Sequence, residues 1–181
     1  MNLVEQYKEM HKDKNLYAGS ALTIHKDNIR QYLTNCKTIL DYGCGKAIQY
    51  HKEKLHETYF YGIMPSLYDP AVEEYSILPQ GKFDAVICTD VLEHIEEQDI
   101  GEIIKQIYSK AEKFVYLGIC NTLADSFLPD GRNAHVTLKS LDWWVKQTLP
   151  HANILTLMYV YGKGNGKAIL CNNKINMFKD R

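Results

Sequence analysis

The stretch Ile39-Leu40-Asp41-Tyr42-Gly43-Cys44-Gly45-Lys46-Ala47 decides the fold. An apolar run reaches an acidic residue, then a glycine-spaced turn, and a helix-competent segment follows from about Ala47 to His56. This is the pattern of a buried parallel strand that ends beneath a small charged ligand. The glycines let the backbone turn tightly and approach that ligand closely. The helix N-terminus beyond them offers N–H groups to a carboxylate or phosphate. Phosphate-binding turns usually read G-x-G-x-x-G, but here the residue three past Gly45 is Ile48.

Outward from this turn, strands and helices alternate. A polar helix is expected over 1–14, a turn at Tyr17-Ala18-Gly19-Ser20, and a helix over 22–35. The first core strand runs from about Lys37 to Tyr42. Phe60 to Ile63 and Leu67 to Tyr68 read as short extended segments, and Phe83 to Thr89 as a buried strand. Asp99 to Ala111 is a helix with Ile103, Ile104 and Ile107 inward. Phe114 to Ile119 is a strand, and 121–138 is long and irregular with a Pro-Asp-Gly turn at 129–131. Ser140 caps a helix over 141–149 that Pro150 helps to stop. Two last strands, Ile154 to Tyr161 and Ala168 to Cys171, are joined by the hairpin signal Gly162-Lys163-Gly164-Asn165-Gly166. The order implies an α/β fold, mostly parallel, closed by one antiparallel hairpin.

An Asp just before a Gly-Cys-Gly turn resembles the Rossmann-like (class I) S-adenosylmethionine (SAM) methyltransferases. The run Phe83-Asp84-Ala85-Val86-Ile87-Cys88-Thr89-Asp90-Val91-Leu92-Glu93-His94-Ile95 looks like that family's fourth strand and the loop after it. The resemblance spans about 37–172 and implies a three-layer fold, SAM as cofactor and methyl transfer. It implies one domain over 1–181, with 1–36 as a helical cover on a core at 37–172. One departure is the short interval between Asp69 and Phe83, where the family usually has a helix and a further strand; Leu78-Pro79 is the candidate remnant.

The bulk properties fit a single domain. The 181 residues suffice for one sizeable core. Net charge is −1 with a pI near 6.6 and no long basic block, which argues against non-specific binding to nucleic acid. Five cysteines, at 36, 44, 88, 120 and 171, form no C-x-x-C pair and suit a reducing cytoplasm. No apolar run has membrane-spanning length, and the start lacks a signal-peptide pattern.

The resemblance assigns roles residue by residue. Asp41, Gly43, Cys44 and Gly45 would hold the methionine end of SAM, with Asp41 either meeting the ammonium group or capping the turn. Lys46 would pair with the cofactor carboxylate or stand in solvent. The ribose acid is expected about 20 residues past the glycine turn, where Met64 stands; Asp69 is the nearest acid and takes the role, with Tyr68 beside the adenine. Asp90 sits at the expected rim of the cleft. His94 and His135 are the candidate general bases, since an unperturbed histidine titrates near 6.5. Glu93 and His94 have a structural alternative as loop caps. Asp90-x-x-Glu93-His94 together with His135 also resembles the metal site of small-RNA 2′-O-methyltransferases, though Val136 replaces their second histidine; no metal is the preferred reading. Tyr7, His11, Tyr17 and Ser20 form either a lid or an edge cover. Trp143 and Trp144 point about 100° apart on one helix, so either one is core while the other lines the pocket, or both are core or boundary residues. The expected acceptor is an oxygen or nitrogen of a small molecule or glycan. A nucleic-acid ribose is the alternative, and a SAM-binding partner protein without catalysis is the third.

Overall fold

The computed structural model describes residues 1–13, 22–163, 166–172 and 174–179. The turn expected at 17–20, with Tyr17 and Ser20, and residues 164–165 of the hairpin join lie outside the described residues.

Among the described residues seven strands form one sheet: β1 (Ile39–Tyr42), β2 (Ser66–Tyr68), β3 (Phe83–Thr89), β4 (Ala111–Asn121), β5 (Leu155–Gly162), β6 (Gly166–Cys171) and β7 (Lys174–Lys179). Their order across the sheet is β2-β1-β3-β4-β5-β6-β7. The first five are mutually parallel, and β6 and β7 add antiparallel pairings. Among the described residues six α-helices accompany them: α1 (Leu3–Lys12), α2 (Leu22–Arg30), α3 (Ile48–His51), α4 (Leu55–Tyr59), α5 (Ile100–Lys110) and α6 (Leu141–Thr148). This is the expected α/β class.

Alternation along each strand builds three layers. Val86 and Cys88 of β3 join Leu40, Val115, Leu117, Met158 and Val160 on one face, under Ile100, Ile104 and Ile107 of α5 and Trp144 of α6. Ala85 and Ile87 join Ile39, Phe114 and Tyr116 on the other, under Leu22 and Ile29 of α2 and Tyr50 of α3. Each such fully buried aliphatic side chain is worth about 1.5–3 kcal/mol over an exposed one. A third, smaller cluster joins Met10 of α1 to Leu128 and Ala134 of the long loop after β4.

Four local expectations change. The helix expected over 47–56 is two short helices, because Lys54 is left-handed (φ 54°) and interrupts the turn between them. The helix expected to reach Asn35 ends at Arg30. Residues 60–63 are not extended; Tyr61 and Gly62 both have positive φ and form a turn. Leu78-Pro79 forms no strand, so β2 is left at the sheet edge, and a final strand, β7, was not anticipated from sequence.

Candidate active site

The carboxyl ends of the parallel strands surround a cavity of about 550 Å³, within the usual range for small-molecule sites. Of the residues singled out from sequence, Gly43, Cys44, Gly45, Tyr68, Asp69, Asp90, His94 and His135 all line it; Asp41 does not.

One end is built on the glycine turn. Gly43 and Cys44 donate their N–H groups to the Tyr68 carbonyl at 2.7 and 3.0 Å, fastening the turn to the end of β2. Asp69 follows. Its Oδ2 accepts from the Gly45 N–H at 2.9 Å and its Oδ1 from the Ala71 N–H at 2.8 Å. Gly43 has φ +88°, and a Cβ there would overlap Val91 of the neighbouring loop. Gly45 has φ +54°, yet a Cβ on it would meet nothing within 4 Å. Sterics therefore require glycine at 43 more strongly than at 45.

Asp41 lies behind this turn, 2% exposed. Its Oδ2 accepts from Tyr50 Oη at 2.7 Å and from Gln49 Nε2 at 3.3 Å. Gln49 also donates to the Cys44 carbonyl and lines the cavity, so it links Asp41 to the turn. Burial pushes the Asp41 carboxyl up to about 7 against these two hydrogen bonds. Lys46 does not line the cavity; its Nζ donates to the Asp13 carbonyl at 2.7 Å.

The other end is assembled from distant segments. Asp90, left-handed at φ 54°, follows β3 and accepts a short hydrogen bond from Tyr161 Oη. Glu93 is wholly buried and accepts from the Cys120 N–H at 2.8 Å. Burial and the Asp90 carboxylate raise the Glu93 carboxyl well above its usual range, while burial pushes Asp90 up to about 6. Tyr7 of α1 donates to the Ala134 carbonyl at 2.6 Å and stands 3.0 Å from His94 Nδ1, itself 2.9 Å from the same carbonyl. With the Tyr7 proton so placed, His94 Nδ1 carries its own proton and donates it. His135 Nδ1 donates to the Thr122 carbonyl at 2.5 Å, which leaves Nε2 as its lone-pair nitrogen. The two imidazoles pack edge to face at 4.7 Å.

Their electrostatics differ. Burial, then His135, lowers His94 to about 3, so it is neutral and a weak proton acceptor. Burial also lowers His135, with the Thr122 carbonyl acting in the opposite sense. The long loop is held by Asn133, whose side chain accepts from the Ala124 and His135 N–H groups, and by Arg132, which pairs with Asp130 and Glu96.

Sequence reading missed Tyr161, Cys120 and the Tyr7–His94 link. Strand register was the available signal: Cys120 and Tyr161 are partners at the ends of β4 and β5. Trp143 and Trp144 contribute nothing to the wall; Trp144 is core, and Trp143 packs perpendicular to it under Lys139. The four-residue set Asp90, Glu93, His94 and His135 is not gathered as metal ligands. The group gathered among the described residues is Glu93, Cys120 and His135.

A mostly parallel sheet whose carboxyl ends carry a fastened glycine turn, with an acid at the end of the neighbouring strand, is the Rossmann-like arrangement. A family model described as a methyltransferase domain matches residues 19–159, well over half of the chain. The chain belongs to this family and is a SAM-dependent methyltransferase of class I. No curated protein matches the sequence. No helix among the described residues is long and apolar enough to cross a membrane.

Proposed function

We propose that the enzyme uses this cavity to transfer a methyl group from SAM to an oxygen or nitrogen of a small-molecule or glycan-type acceptor. The observation that carries this reading is the charge of the wall. Asp69 and Asp90 line it, and no Lys or Arg does among the described residues. That suits a cofactor cationic at its sulfonium and ammonium groups, and it disfavours a phosphate-bearing dinucleotide or a nucleic-acid backbone.

The bound cofactor supplies an electrophilic methyl group whose sulfonium charge disappears on transfer. The Gly43–Gly45 turn receives its methionine end, with Asp41 setting the turn through Gln49 and Tyr50. Asp69 takes the ribose hydroxyls, using lone pairs left over from its two backbone bonds, and Tyr68 stands beside the adenine. Asp90, fixed by Tyr161, faces the reacting centre. His135 presents Nε2 to the acceptor proton; His94, held by Ala134 and Tyr7, braces it. Alignment and exclusion of water are the protein's main contributions to such a displacement. The helices α1 and α2 cover a core at 37–172 within one functional unit, and five unpaired cysteines suit a cytoplasmic setting.

The test is formation of S-adenosylhomocysteine from SAM in the presence of small hydroxyl and amine acceptors, beside RNA oligonucleotides. His135→Ala should lower turnover about 10²-fold with cofactor affinity nearly unchanged. Turnover on RNA alone would overturn the acceptor class. Cofactor binding without turnover on any acceptor would leave a binding protein.

A further inference from the structure

We propose that Glu93, Cys120 and His135 form a binding site for a divalent cation of the zinc class, at the acceptor end of the cavity. One ligand atom from each of the three lies within 4.8 Å of the other two. Tetrahedral zinc holds oxygen, nitrogen and sulfur ligands at about 2.0–2.3 Å, a geometry such a triangle reaches with small side-chain adjustments.

Each ligand is prepared by its surroundings. Glu93 Oε1 is fixed by the Cys120 N–H at 2.8 Å. Glu93 Oε2 is buried with no donor aimed at it, and the Glu93 carboxyl interacts with the Asp90 carboxyl beside it. Two buried acids in contact are costly unless a proton or a cation lies with them, and a cation removes that cost. His135 has Nδ1–H committed to the Thr122 carbonyl at 2.5 Å, the arrangement that orients an imidazole for metal through Nε2. Cys120 Sγ, at the end of β4, lies 3.2 Å from Thr122 Oγ1 and lines the cavity. One segment, 120–122, therefore supplies a ligand, steadies Glu93 and orients His135.

A mixed oxygen, sulfur and nitrogen set selects a borderline-soft ion over Mg²⁺ or Ca²⁺. On binding, the Glu93 carboxyl and the Cys120 thiol each release a proton, and the carboxylate and thiolate balance the double positive charge. Cys120 and His135 line the cavity, so solvent from that side would supply a fourth ligand. An ion on His135 Nε2 takes the lone pair that would accept the acceptor's proton, so loading silences turnover. The site itself stands on geometry; only that last consequence rests on the methyl-transfer reading.

The experiment uses tag-free, metal-stripped protein titrated with Co²⁺ as an optical probe and with Zn²⁺ against a chromophoric chelator. A single equivalent should bind, with a near-ultraviolet sulfur-to-cobalt charge-transfer band that excess Mg²⁺ leaves in place. Cys120→Ser should abolish the band and weaken Zn²⁺ binding about 10²-fold, whereas Cys171→Ser should change neither. His135→Ala, its fold checked by circular dichroism, should weaken binding similarly. No band, or equal binding by parent and Cys120→Ser, overturns the site. Because these readouts need neither SAM nor acceptor, they separate failure of the site from failure of the functional reading. Zn²⁺ that binds as described yet raises turnover would instead overturn the free-base role of His135.

Discussion

The two ends of the cavity are built in opposite ways. The glycine end sits on two adjacent strands: the turn at 43–45 follows β1, Tyr68 and Asp69 stand at the end of β2, and the two are joined mainly through backbone N–H groups and carbonyls. The histidine end is stitched from afar. Tyr7 meets His94 across 87 residues, Tyr161 meets Asp90 across 71, and Cys120 meets Glu93 across 27. A backbone cradle is tied to the strand ends and tolerates little change in shape. A side-chain assembly keeps its frame while individual groups vary. On the proposed reading, the first end receives the cofactor and the second the methyl acceptor.

The largest expected effect breaks the cradle. Gly43→Val places a branched side chain at φ +88° and against Val91. It should reduce S-adenosylhomocysteine affinity below what calorimetry detects. Gly45→Ala, strained only through φ, should retain measurable binding. Equal losses at the two positions would mean that Val91 yields and that close packing is not what the cradle needs.

The same contrast governs what the sequence revealed. Asp41 to Gly45 and Phe83 to Asp90 are contiguous, so periodicity and glycine spacing place them, and both strands end where expected. Their neighbours at the histidine end are set by strand register and by a loop resting on α1, which no local pattern encodes. The left-handed Lys54 that divides the helix after the turn has no compositional cue, since lysine is an ordinary helix former. Asp41 shows a further limit. Its strand and burial were legible, but its separation from the cavity by Gln49 and Tyr50 depends on how α3 packs.

A second effect concerns that buried acid. Its pKa rises from 3.8 unfolded to about 7 folded, so the folded state holds a proton that the unfolded chain has released. The sign follows: there is no penalty below pH 3.8, stability falls as pH climbs toward 7, and the full penalty persists above. At about 1.4 kcal/mol per unit, the change amounts to at most roughly 4 kcal/mol. Asp41→Asn should remove that share of the fall, making the urea midpoint of the variant decline less than the parent's between pH 4 and 8 while the shares of Asp90 and Glu93 remain. Saturating SAM should also flatten the parent's slope if the cofactor's ammonium group is felt at Asp41. A slope unchanged by SAM would make Asp41 a purely structural brace of the cradle.

Smaller is the expected loss at Asp69. Removing a charge-assisted pair of bonds to the ribose should cost about 1.5–3 kcal/mol of S-adenosylhomocysteine binding in Asp69→Ala, and less in Asp69→Glu. Part of any loss would come from the Gly45 and Ala71 N–H groups that Asp69 also holds. A cofactor analogue lacking the ribose hydroxyls separates the two causes. If Asp69→Ala weakens the analogue as much as the parent ligand, the acid serves the turn and not the ribose.

The smallest effect sharpens the boundary between the two ends, because α1 touches both. Its Tyr7 binds the Ala134 carbonyl beside His94, while its His11 lies close enough to feel Asp69. Tyr7→Phe keeps the ring and the packing in the cluster around Met10 but deletes the hydroxyl. A hydrogen bond of this kind is worth about 0.5–1.5 kcal/mol, so kcat/KM for the acceptor should fall by roughly 10-fold or less. S-adenosylhomocysteine affinity should stay within error, because the hydroxyl's bonds to His94 and Ala134 lie at the histidine end. An equal fall in both would show that α1 transmits the loss along its length, and the two ends would then be one mechanical unit closed by a single helix.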